Sequence, residues 1–223
     1  MAIKWIQAGI GAGLATCVLY PLVSVAPLPR VLLVVLGSIL GPSLAVASLG
    51  LREALRLHEE SVVGDLGALF NVLAGVLFEA MLLVQLAVRL RAPGEALSQH
   101  TVGVWLGLDV AWDVYIGLGT ACFGIAMLRH PRFGKAMGIA GLALALVLLA
   151  FNLVTFPTPP AEAGLVDVGP AIGLWYLLAT ILMWRSMPWL KSMARERGGG
   201  KRNGLTAPRR TSSAGTSSGP PST

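Results

Sequence analysis

Charge is what this chain has least of. Only 13% of its 223 residues are Asp, Glu, Lys or Arg, while 55% are hydrophobic and the mean hydropathy is +0.72. A soluble domain of that length has no single core large enough for so much apolar surface, which excludes an ordinary water-soluble globule. Cysteine is nearly missing as well. Cys17 and Cys122 both lie inside apolar runs, where cysteine serves as a small packing residue, and two of them make neither a disulfide framework nor a metal site. Leu14-Ala15-Thr16-Cys17 stands where a lipoprotein cleavage box would, but the threonine and the continuation of the run to Ala26 argue against processing there. Histidine is confined to His58, His100 and His130, all between apolar runs and read as solvated loop side chains. No HExxH pattern occurs, and no glycine cluster is followed by the Lys-Ser/Thr of a phosphate loop. No catalytic residue, metal or cofactor is therefore expected.

What the chain does have is six long apolar runs, near 5–26, 31–51, 62–88, 102–128, 136–156 and 168–188. A bilayer core about 30 Å thick needs about 20 apolar residues per helix. Continuous runs of this length, without the alternation of barrel strands, are helices, because hydrocarbon leaves no other partner for backbone amides. Residues 1–190 thus read as an all-α membrane domain of six transmembrane helices. Proline and charge punctuate the gaps, at Pro27 and Pro29, Arg52 to Glu60, Arg89 to Gly94, Arg129 to Arg132, and Pro157 to Pro160. Gaps this short make consecutive helices antiparallel neighbours in a bundle.

Basic residues separate by side. Lys4, Arg52, Arg56, Arg129, Arg132, Lys135 and the eight from Arg185 onward fall on one side, fourteen of the 17. Arg30, Arg89 and Arg91 fall on the other, and the bias remains, six against three, without the C-terminal set. The positive-inside rule puts both termini in the cytoplasm, with the protein in the inner, cytoplasmic membrane. Trp5, Trp184 and Trp189 sit at the inner edge, as an interfacial belt. Residues 191–223 are rich in Gly, Ser, Pro and basic side chains and read as a disordered cytoplasmic tail. The net charge of +6 is spread over loops and tail, so the expected partners are the bilayer and, for the tail, anionic lipid headgroups rather than nucleic acid.

Glycines recur at small-xxx-small spacing in Gly9/Gly13, Gly37/Gly41, Gly103/Gly107 and Gly134/Gly138, a pattern of close helix approach. Pro21 and Pro42 fall inside the first and second runs and are expected to kink them.

The chemical lead is polar. Asp109 and Asp113 lie four apart in the fourth run, about 40° apart around a helix and about 6 Å along it. Glu79, with Asn71 and Asp65, lies in the third run, and Asn152 in the fifth. At about 1.5 Å per residue, Glu79, Asp109, Asp113 and Asn152 all fall in the outer half of the membrane, within roughly 10 Å of mid-plane. Each carboxylate near a helix centre opposes insertion by about 2.5–3.5 kcal/mol, against roughly 0.3–0.6 kcal/mol recovered per large aliphatic residue. These acids must face the protein interior or a wet cavity. Three readings follow: a structural set that fixes helix register, an intramembrane proton or cation site coupled to transport of a small solute, or the pocket of a membrane enzyme. A structural or partner-binding membrane subunit is a further possibility for the whole chain.

Cys122-Phe-Gly-Ile-Ala-Met127-Leu-Arg-His-Pro131-Arg-Phe-Gly134, with the Asp109-Val-Ala-Trp112-Asp113 patch and the Pro157 to Pro170 connector, resembles uncharacterised bacterial six-helix membrane proteins of the domain-of-unknown-function kind over residues 100–190. The resemblance implies six spans and carries over no catalytic residue. A multi-pass integral membrane protein is the reading these features support, its activity left open.

Overall fold

The computed structural model describes residues 1–91 and 98–203. Among these the chain is all-helical: α1 (Ala2–Val25), α2 (Arg30–Arg56), α3 (Val62–Arg91), α4 (Gln99–Met127), α5 (Gly134–Thr155), α6 (Gly169–Arg185) and α7 (Met187–Asn203). The first five are long and apolar enough to cross a membrane. With 17 residues, α6 is about 26 Å long, slightly less than the hydrocarbon thickness.

The outside of the molecule is apolar and the inside holds its polar groups. Val18, Val31, Val76, Val104, Leu146, Leu153 and Phe156 are exposed, Leu153 to 82%. Asn71 and Thr120 are fully buried, with Ser48, Asn152 and Asp113 nearly so. A soluble monomer rarely exposes apolar area around its whole girth. Lipid is the solvent that fits this inversion, and the chain is built as a multi-pass membrane protein.

Neighbouring helices meet at close glycine contacts. Gly9 of α1 faces Gly50 of α2, while Leu19 and Val23 join Leu40 in one apolar cluster. Gly41 of α2 faces Gly75 of α3, and Arg52 reaches Asp65 at 2.6 Å. Gly67 of α3 meets Phe123 of α4, and Gly124 of α4 meets Gly138 of α5. Trp175 of α6 lies on Gly141 of α5, donating its indole N–H to Met137 O at 2.9 Å. Thr180 of α6 lies on Gly13 of α1, so the sixth helix closes against the first. The largest apolar cluster gathers Ile6, Leu51, Ala54, Phe123, Met127, Trp175, Met183 and Leu190.

The run at 168–188 is filled by one helix to within three residues: α6 ends at Arg185, and α7 starts after Ser186. Pro188 has no amide to continue the α6 ladder, and the backbone restarts with Leu190 N–H donating to Ser186 O. The tail expected to be disordered from 191 is helical to Asn203. Leu190 is fully buried and Ala194 packs beside it, one turn apart, so this segment has an apolar stripe that its Gly-rich and basic composition hides. Residues 204–223 of the expected tail, and the gap holding Pro93 and Gly94, lie outside the described residues.

The glycine pairs divide. A Cβ on Gly9 would sit 2.5 Å from Gly50 Cα, backbone against backbone, whereas Gly103 and Gly107 face open space. Gly134 serves as a helix entry with φ +76° rather than as a packing surface. The expected consequence is selective. Gly9→Ala or Gly50→Ala lowers stability by about 1–3 kcal/mol through overpacking, while Gly107→Ala is neutral or stabilising by under about 1 kcal/mol. Thermal melts in mild detergent check this; equal losses at Gly9 and Gly107 would refute it.

Candidate functional site

Helix α4 presents Val110, Asp113, Ile116, Gly117, Thr120 and Gly124 on its buried face. Asp113 is directed at α5, where Asn152 Nδ2 donates to its Oδ2 at 2.9 Å and also to Leu148 O at 3.0 Å. Gly117, one turn on, makes room for Leu149 and lets the two helices approach. Asn152 Oδ1 and Trp112 Nε1 are buried without a hydrogen-bond partner. Asp109, one turn back from Asp113, is half-buried, and among the described residues no hydrogen bond reaches it.

Glu79 is used elsewhere. Its Oε2 accepts from the Gly41 backbone N–H at 3.1 Å, across the α2–α3 seam. Gly41 and Gly75 touch backbone to backbone there, with a Cβ on Gly75 only 2.7 Å from Gly41 O. Pro42 follows Gly41 and lacks the amide that would bond Ser38 O. The bond from α3 therefore falls at the turn where the α2 ladder is interrupted. Of the four candidate side chains, only Asp113 and Asn152 are bonded to each other.

A second buried set escaped the sequence reading. Tyr176 of α6 donates its hydroxyl to Asn71 Oδ1 of α3 at 2.6 Å and lies 3.3 Å from Thr120 Oγ1 of α4. Asn71 Nδ2 donates back to Gly67 O at 2.8 Å, and Thr120 Oγ1 to Ile116 O at 2.7 Å. A Cβ at position 119 would collide with the Asn71 amide, so Gly119 is the space this network occupies. The sequence signal was Asn71 itself, an amide in an apolar run, which must find a partner. The partner lies 105 residues away.

The third group lies at the helix ends that carry most of the basic residues, and it corrects the expectation of solvated histidines. His100 is exposed and His58 half-buried, but His130 is 3% exposed. Its Nδ1 accepts from the Arg132 and Phe133 amides at 3.2 and 3.4 Å, which leaves Nε2 as the protonated nitrogen, buried without a partner. His58, Phe133 and Trp189 of α7 surround it, with ring centroids 4.9–5.5 Å away. Arg132 lies over Trp189, and Arg197 reaches Glu60 at 3.8 Å, fastening α7 over this box. Burial, and then the neighbouring His58, hold the His130 pKa down at about 4.

Among the described residues, no three His, Cys, Asp or Glu side chains converge as a metal would require. No family model matches the chain, and neither a curated protein nor a solved structure is similar enough to count as a relative.

Two outcomes follow. A histidine kept neutral by the fold, with its ordinary pKa near 6.5 in the unfolded chain, stabilises fully above that pH. That stability falls as pH drops from 6.5 to about 4, and nothing more is lost below. Thermal melts over that range should decline, and His130→Gln should remove most of the slope. For the α4–α5 pair, Asn152→Leu should cost about 1–3 kcal/mol by stranding Asp113. Asp113→Asn keeps an acceptor and should cost less. A double-mutant cycle of Asp113→Leu with Asn152→Leu should return a coupling of about 1–2 kcal/mol.

Proposed function

We propose that this is a six-span integral protein of a bacterial cytoplasmic membrane, antiparallel throughout, with both termini in the cytoplasm, in which the intramembrane acids hold helix register. The observation that carries the reading is where the bonds of those acids go. Glu79 bonds α3 to the α2 backbone, and Asp113 bonds α4 to Asn152 of α5. Each bond joins one helix to the next at a glycine-lined seam, which is the work of a register lock rather than of a shared catalytic centre. The basic residues at the end carrying Lys4, Arg56 and Arg132 support the orientation. The contact of α6 with α1 supports a sixth crossing.

A proton- or cation-coupled transporter of a small solute is the second reading. Asp109 without a bond, one turn from Asp113, and the unpaired Asn152 Oδ1 leave polar capacity at one level of the bundle.

Reporters joined after Glu59, Pro131 and Arg195 should read cytoplasm, and one after Glu162 should read the opposite side. If Glu162 and Arg195 report the same side, α6 does not cross. In reconstituted vesicles the register reading expects Asp113→Asn and Glu79→Gln to lower melting temperature while leaving no ion-dependent flux to lose. A pH-driven flux abolished by Asp109→Asn or Asp113→Asn at normal expression would replace it with the transport reading.

A further inference from the structure

The break between α6 and α7 turns the chain at Ser186 and opens a crevice of about 520 Å³ against α1. It is lined by Gln7, Ile10, Trp184, Arg185, Met187, Pro188 and Lys191. That volume is within the roughly 300–1,000 Å³ of small-ligand clefts. Its chemistry is of two kinds. Ile10, Met187 and Pro188 give apolar walls, and Trp184, 62% exposed, stands at the mouth. Arg185 and Lys191 add two exposed cations, and among the described residues neither has an ion-pair partner. At this end Arg52, Arg56 and Arg197 are paired with Asp65, Glu53 or Glu60, while Lys4, Arg129, Arg132, Lys135 and Arg195 are, like Arg185 and Lys191, without an ion pair among the described residues. What sets Arg185 and Lys191 apart is that both line one crevice. No acidic side chain lines the crevice. Trp5 and Trp184 mark the level as the membrane interface, where aromatic side chains meet headgroups.

We propose that this crevice seats one anionic phospholipid headgroup, its phosphate between Arg185 and Lys191 and its glycerol region against Ile10 and Trp184. A guanidinium offers paired N–H donors to phosphate oxygens, an ammonium adds a point charge, and Gln7 supplies an amide donor. Further along α1, Val18 and Leu22 are exposed, and acyl chains would lie on that side. The site rests on the membrane reading above, and it differs from diffuse attraction of a basic tail because a fixed pair of residues lining one open crevice defines it.

The test is lipid retention. The full chain is reconstituted in phosphatidylcholine vesicles containing phosphatidylglycerol, extracted in mild detergent, and its bound lipid counted by native mass spectrometry. Preferential retention of phosphatidylglycerol is expected, and Arg185→Gln with Lys191→Gln should weaken it roughly tenfold. Lys135→Gln with Arg195→Gln removes the same charge from the same end outside the crevice and should leave retention intact. Circular dichroism of each variant controls for folding. Equal loss in both double variants, or no loss in either, overturns the site. Displacement of the lipid by inorganic phosphate overturns the lipid assignment. A chain that stays dispersed without detergent and retains no lipid of either kind overturns the membrane reading itself.

Discussion

Hydrocarbon offers a polar atom nothing to bond to, and every other feature of this molecule answers that constraint. It makes the spans helical, because only a helix satisfies its own backbone. It also sends Asn71, Thr120, Asp113 and Asn152 inward, where other helices supply their partners. Between helices in lipid the hydrophobic effect contributes little, so cohesion comes from close packing and from those hydrogen bonds. The glycine crossings at Gly9–Gly50, Gly41–Gly75 and Gly124–Gly138 bring backbones into contact. That closeness is what puts Glu79 within reach of an amide on α2.

The basic end of the molecule and its interior are built differently. At the end carrying most of the basic residues, water is near, and ion pairs among Arg52, Glu53, Arg56, Glu60, Asp65 and Arg197 cross from α2 to α3 and to α7. Exposed pairs of this kind are individually weak. The aromatic box around His130 adds packing, and α7 is seated by Leu190 as much as by charge. Deeper in the bundle, among the described residues, no cation accompanies the acids, and a neutral amide and a backbone N–H take that place.

The helical spans were legible in composition because length and hydrophobicity are one-dimensional properties. The limits of α1 through α5 fall within five residues of the apolar runs. The pairing of Asp113 with Asn152 was legible to the extent that depth along antiparallel spans can be counted. Rotation of each helix about its axis cannot be counted that way. Glu79 therefore faces α2 rather than α4, and Gly103 and Gly107 face outward although they match the spacing of Gly9 and Gly13. Tyr176 was invisible for a further reason. A tyrosine fits an apolar run, and nothing near it in sequence announces that its hydroxyl joins α3 and α4. In α7 three successive glycines outweighed Leu190 and Ala194, whose value depends on a pocket formed by helices far upstream.

The hydroxyl of Tyr176 bears on how the bundle closes. It lies on the shortest of the apolar helices, and both of its side-chain partners belong to helices synthesised earlier. That hydroxyl has its partners only where α3 and α4 lie side by side, so the seating of α6 is tied to the packing of those two helices.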